Sequence, residues 1–307
     1  MARNVDSCPT VSRYDGPMKR LVYRFGIASA LILSGQPVLA EQLTESFSGS
    51  AYATDGNQLL YRETHYLFSG DRGGERVVLY QCPDGRAFAR KRSRDDGDAQ
   101  APDFDLVDAR VGYREGVRRN GAQREVYVQR SAAQAEQADP LQLPADGVID
   151  TGFETFARLH WAALLRGDTL PFDYLVPSRR KFYAFKVTKV DLPAAPAGSV
   201  TLRLASTSWL SFLLPHIDIS YDLETHRVVR YEGLSNVRDV KTGKNYRVHY
   251  EYPKVAVVHD IAPAQIQAAL TTPLEATCTP ADKPASVSGQ SSVPEVTIAS
   301  EARNPNP

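Results

Sequence analysis

From Glu45 to Pro253 the chain is a succession of short segments in which aromatic and β-branched residues alternate with polar ones, cut by Gly, Asp and Pro. A period of two places alternate side chains on opposite faces of an extended strand, a pattern no helix satisfies. Leu59–Leu67, Arg76–Tyr80 and Arg86–Lys91 read as the first strands, the last two joined at Asp84-Gly85, where Gly accepts the positive φ of a tight hairpin turn. Leu106–Glu115 and Glu125–Gln129 read as a further pair joined through Asn120-Gly121. Asp173–Val176, Lys181–Val190, Ser199–Ala205, Ile217–Asp222, Arg227–Gly233 and Tyr246–Tyr252 follow. In the last of these Tyr246, Val248, Tyr250 and Tyr252 share one face, and Arg247, His249 and Glu251 the other, giving one buried and one wet side. Short connections between so many strands predict an antiparallel meander, a mainly β protein of the α+β class.

One helix interrupts the strands. Phe153, Phe156, Ala157, His160, Trp161 and Leu164 recur at helical spacing between Thr151 and Arg166. Thr151 with Glu154 predicts a capping box, Glu154 with Arg158 an i,i+4 ion pair, and Gly167 the stop. So wide an aromatic stripe requires burial against the sheet, with His160 read as a core histidine.

The N-terminal segment carries a different signal. Residues 1–17 fit no structural pattern and read as a leader ahead of the true start at Met18. In residues 18–40, Lys19, Arg20 and Arg24 form a basic region, Phe25–Leu33 an apolar core, and Val38-Leu39-Ala40 a cleavage site. The apolar run is shorter than the roughly 20 residues a membrane span needs. A cleaved signal peptide, a mature start at Glu41 and a periplasmic location are therefore expected. The chain has 36 basic and 36 acidic residues; five and two of these lie in residues 1–40, so the remainder carries 31 and 34, a net charge of −3. That balance gives no field for nucleic acid. Of three cysteines, Cys8 falls in the leader, leaving Cys82 and Cys278 for a disulfide in an oxidising compartment, with two free thiols as the alternative. Residues 41–261 read as the folded domain. Residues 262–307, rich in Ala, Thr, Pro and Ser, read as a disordered tail, and Arg94–Asp103, with its four aspartates, as a solvated loop.

No catalytic or metal motif emerges. Ser178-Arg-Arg-Lys181 and Lys241-Thr-Gly243 match the Ser-x-x-Lys and Lys-Thr-Gly motifs of penicillin-recognising serine enzymes, but the first precedes a strand instead of opening a helix and the second reads as a turn. His65 and His249 are read on polar strand faces and His226 beside a turn, with no spacing for zinc. Neither a cofactor nor a metal site is expected. Two apolar runs suggest a ligand site instead. Leu170–Pro177 leads into Arg179, Arg180 and Lys181, a basic rim suited to an anionic head group. Trp209 and Phe212 lie in a run that either completes the core or lines a pocket.

Ile217-Asp-Ile-Ser-Tyr-Asp-Leu223, Arg227-Val-Val-Arg-Tyr-Glu-Gly-Leu-Ser-Asn236 and Leu175-Val-Pro-Ser-Arg179 resemble phrases of uncharacterised periplasmic proteins of proteobacteria. The resemblance covers about Glu45 to Pro253. It implies a lipoprotein-carrier-like fold: a curved sheet or unclosed β-barrel with the aromatic helix in its concave side. On that frame the expected function is non-catalytic binding or carriage of a lipid or other amphiphile. Phe153, Phe156, Trp161, Leu164, Trp209 and Phe212 would form the apolar slot and Arg179–Lys181 its rim. The alternatives are an envelope assembly protein that binds a protein partner, recognised by a filled interior, and an enzyme whose dispersed site would bring a His together with carboxylates in one cleft.

Overall fold

The computed structural model describes residues 44–55, 57–70, 73–207, 216–254 and 257–278. The alternating segments become β1 (Glu45–Ala53), β2 (Leu59–Gly70), β3 (Gly73–Gln81), β4 (Ala87–Arg94), β5 (Asp103–Asp108), β6 (Tyr113–Asn120), β7 (Gln123–Gln129) and β8 (Gln137–Pro140) in the first half. The second half holds β9 (Gly147–Val148), β10 (Leu170–Val176), β11 (Lys181–Val190), β12 (Ser199–Ser206), β13 (Ile217–Asp222), β14 (Val228–Arg238) and β15 (Asn245–Glu251). All fifteen form one sheet, in the order β8 back through β1, then β15 back through β9, and β16 (Val258–His259) pairs separately with β1. The first strand is therefore central: Ala51 faces Tyr61 of β2 on one side and Tyr250 of β15 on the other. β8 and β9 end the order without pairing, so the sheet is a curved, unclosed barrel. Pairing is antiparallel except between β9 and β10.

The span Leu106–Glu115 is two strands, not one. Asp108 ends β5 and Tyr113 starts β6, with Gly112 at φ +60° between them. A Cβ on Gly112 would lie 2.6 Å from the backbone nitrogen of Ala132, so the turn needs glycine on two counts. The Asn120-Gly121 turn instead joins β6 to β7.

The helical stripe forms two short helices, α1 (Gly152–Leu159) and α2 (Trp161–Arg166), which part at His160. His160 is exposed rather than in the core. The capping box does not form: Thr151 is itself in helical conformation and makes no side-chain cap, and Glu154 turns its carboxylate to Arg76 on β3. Its pair with Arg158 is made, at 3.1 Å, and Gly167 ends α2 at φ +94°. Phe153, Phe156, Ala157 and Leu164 are buried in the concave side against Phe172, Val187, Leu202 and Tyr221 of β10–β13.

Two segments read as unstructured are built into the domain. In 94–103 the Asp98 carboxylate accepts from the amides of Gln100 and Ala101, while Asp103 is buried in β5 and pairs with Arg124 at 2.7 Å. Beyond Ala262 the chain forms α3 (Pro263–Thr271), whose Ala269 and Leu270 pack on Val77, Leu79 and Ala87. This covers the outward side of β3, so Val77–Tyr80 is buried on both faces. Covering side chains like Val77 and Leu79 contributes about 1.5–3 kcal/mol each. The Cys82–Cys278 disulfide, with Cα atoms 5.4 Å apart, fastens the end of this segment to the turn after β3. Among the described residues no helix is long and apolar enough to cross a membrane.

Candidate functional site: a charge-paired cavity inside the sheet

Strand parity carries polar residues inward. On β2, Tyr61 is fully buried, and Glu63 and His65 follow at the same parity, 5% and 8% exposed. The ladder extends this level across neighbouring strands: His65 pairs with Val78, Val78 with Lys91, Lys91 with Leu106, and Leu106 with Glu115. Glu63, His65, Lys91 and Glu115, with Arg76 of β3, Asp150 before α1 and Glu154 of α1, line a cavity of about 740 Å³ between the helix and the sheet. Its apolar wall includes Phe47, Phe153, Phe185, Leu204, Ile217 and Ile219, and Tyr174, Tyr221, Tyr231 and Tyr252 add aromatic faces. Pockets of this size and mixed lining are those that hold small molecules.

The charges inside are matched in pairs. Arg76 donates to both oxygens of Glu154, at 2.6 and 3.0 Å, and Lys91 to Asp150 at 2.9 Å. Nearer solvent, Arg158 shares Glu154, Arg227 pairs with Glu45 and Lys254 with Asp222. Burial pushes the Glu154 carboxyl up, but the adjacent Arg76 guanidinium outweighs it and holds the group down to about 2. Asp150 sits at φ +47°, a left-handed conformation that Asp tolerates better than most residues.

Glu63 and His65 form the least ordinary contact. His65 Nε2 lies 2.7 Å from Glu63 Oε1, to which Tyr252 also donates its hydroxyl. Burial raises the Glu63 carboxyl, yet His65 and Tyr252 outweigh it and leave it below the usual range. An ionised carboxylate only accepts, so Nε2 carries the proton. The other ring nitrogen, Nδ1, is buried with no hydrogen-bond partner among the described residues, and the ring stacks on Phe47 at 4.5 Å. Glu115 differs: its partner is the Tyr113 hydroxyl at 2.5 Å, and burial pushes its carboxyl above the usual range. Among the described residues no group of three or more His, Cys, Asp or Glu is arranged to hold a metal ion.

Of the residues read as a ligand site from the sequence, Phe153, Phe156, Leu164 and Trp161 share one apolar cluster. Phe153 lines the cavity. Phe156 packs behind it on Phe172, Leu164 is fully buried, and Trp161 sits edge-on to Tyr221 and against His226. Arg179, Arg180 and Lys181 lie at the tip of the β10–β11 hairpin, outside the cavity wall. Arg179 and Lys181 are exposed there. Arg180 bonds Asp139 at 2.7 Å and Gln137 at 2.8 Å, both on β8, and Arg130 donates to the Ser178 carbonyl. These contacts tie the hairpin tip to β8 and to the end of β7. Trp209 and Phe212 lie outside the described residues.

The polar residues that line the cavity are hidden in the sequence because a polar strand residue such as His65 reads as part of a wet face. The available signal was parity: Tyr61, Glu63, His65 and Leu67 fall on one side of β2, and a tyrosine and a leucine mark that side as inward.

No protein-family model matches the chain, and no curated protein matches it. Among solved structures it is similar to a β-barrel-like protein of a domain of unknown function, DUF1849, from Brucella abortus. The identity is 9% and the TM-score 0.41, over 72% of this chain and 98% of that one.

Proposed function

We propose that the protein is a binding module of the cell envelope, exported to the periplasm, that holds an amphiphilic small molecule in the cavity between α1 and the sheet. The observation that carries this reading is the cavity itself: about 740 Å³, with an apolar wall and an opposing set of paired charges. An assembly protein needs no such interior, and a filled core would have favoured that role. The test is titration of protein recovered from the periplasm with N-phenyl-1-naphthylamine, an uncharged probe that brightens in apolar surroundings. Saturable binding at one site is expected, weakened by Ile217→Trp, which enlarges a half-buried wall side chain. Absence of saturable binding, or equal binding by the variant, would overturn the reading.

A second reading is favoured by one observation. His65 meets Glu63 in a cavity that also holds Glu115, Asp150 and Glu154, the convergence expected of a dispersed acid–base site. A carboxylate that fixes the imidazole tautomer and leaves the second nitrogen unprotonated is the arrangement of a general base. Turnover of ester or glycoside reporters by the wild type, lost in His65→Gln while probe binding persists, would favour this reading over simple carriage.

A further inference from the structure

We infer that the ligand's polar end is an uncharged, hydroxyl-bearing head group, of the glycerol or sugar kind, and not a carboxylate, phosphate or ammonium. This rests on the binding reading and specifies its ligand. The cavity wall holds five cationic side chains and five carboxylates, a balance of zero. Each cation is already committed: Arg76 and Arg158 to Glu154, Lys91 to Asp150, Arg227 to Glu45 and Lys254 to Asp222. An anionic head would have to break one of these pairs, or enter a desolvated space as an uncompensated charge, and both are unfavourable.

A cationic head finds no better partner. Glu63 is engaged by His65 and Tyr252, and Glu115 by the Tyr113 hydroxyl. Three buried polar atoms on wall residues have no hydrogen-bond partner among the described residues: His65 Nδ1, Tyr221 Oη and Asp150 Oδ2, the last 2.9 Å from Lys91 Nζ as an ion pair. A hydroxyl serves all three, since it donates to an imidazole nitrogen or a carboxylate oxygen and exchanges either role with a phenol, whereas a carboxylate cannot donate to Nδ1. The tyrosines of the wall, Tyr252 beside His65 among them, offer apolar contact to the C–H side of a glycerol or sugar.

The experiment is displacement of N-phenyl-1-naphthylamine at about pH 8 by four compounds of one chain length: 1-monododecanoylglycerol, dodecyl glucoside, dodecanoate and dodecylamine, each below its micelle concentration. At least one neutral compound is expected to compete at about tenfold lower concentration than either charged one, the scale of one unmade charge-assisted contact. The glycerol and glucoside arms separate the two head-group kinds. If dodecanoate or dodecylamine competes as well or better, the head-group inference falls while the binding reading stands. If the probe itself does not bind, the binding reading falls and the inference with it. Glu154→Gln then tests the cause, because it releases Arg76 and Arg158. Dodecanoate should gain about tenfold relative to the neutral compounds. Unchanged selectivity would overturn the charge-pair account. Should that variant not fold, Glu45→Gln makes the same test at Arg227.

Discussion

Glu154 shows how one residue can be withdrawn from a local role for a distant one. Its position three residues after Thr151 suits a helix cap, but its carboxylate instead binds Arg76 across the cavity. A bidentate guanidinium–carboxylate pair, itself largely shielded, is a stronger contact than a side-chain helix cap. The pair makes stability depend on pH. Glu154 titrates at about 2 when folded and near 4.3 in an unfolded chain. Its folded value is depressed, so its contribution is fully present above the unfolded value and is lost as pH falls through the folded one. Integrated over that window it amounts to something on the order of 3 kcal/mol. Denaturant unfolding between pH 5 and 2 should show a loss in the wild type that Glu154→Gln lacks. Parallel pH curves for the two proteins would contradict the pairing. At this scale the sequence was legible where one residue type has one use: Gly167 stops a helix, and the pair of Cys82 and Cys278 forms the disulfide. It was illegible where a polar side chain had two uses, as at Glu154, or where its face was ambiguous, as at His65.

Among the elements, α3 decides why that ambiguity arose. Alternation identifies an inner face only when the outer face is wet, and over β3 the outer face is dry because Ala269 and Leu270 of α3 cover Val77 and Leu79. The composition of residues 262–278, poor in aromatics, conceals the helix, since a segment lying on the outside of a sheet needs few large side chains to dock. Beside this packing, the disulfide ties the segment down and closes a loop across 196 positions. In the chain-entropy picture such a crosslink contributes as much as about 5 kcal/mol. Cys278→Ser is expected to lower unfolding free energy by up to that amount. It should also raise amide exchange in α3 well before the rest of the sheet. Uniform exchange across the molecule would show that α3 holds its place without the crosslink.

For the molecule as a whole, the two sheet ends at β8 and β9 do not pair, and polar contacts stand in for the missing ladder. The hairpin carrying Arg180 reaches Asp139 and Gln137 of β8, and Arg130 reaches back to Ser178. The fold class and most strands could be read from alternation and turn residues. The seam could not, because the contact joins segments about forty positions apart with no pattern in common. The Arg180–Asp139 pair is partly exposed, so Arg180→Ala should cost no more than about 1 kcal/mol of stability. The same change should quicken amide exchange in β7 and β8 and leave probe affinity unchanged. A large loss of affinity would return Arg180 to the ligand site.

The central place of β1 has a consequence for how the chain assembles. Its partner on one side, β2, follows within a few residues, but Ala51 waits for Tyr250, about 200 positions later, on the other. During synthesis β1–β8 can build up one hairpin at a time, each closing a short loop, while one edge of β1 stays open until almost the whole domain has been made. Pairings at so long a separation form slowly, and open edges recruit other chains in the meantime. The stretch that waits for β15 reads Ser-Ala-Tyr-Ala from Ser50, with Tyr52 its one large side chain. Three of its four side chains are too small to anchor a wrong partner, so the edge that must wait longest offers little for another chain to hold.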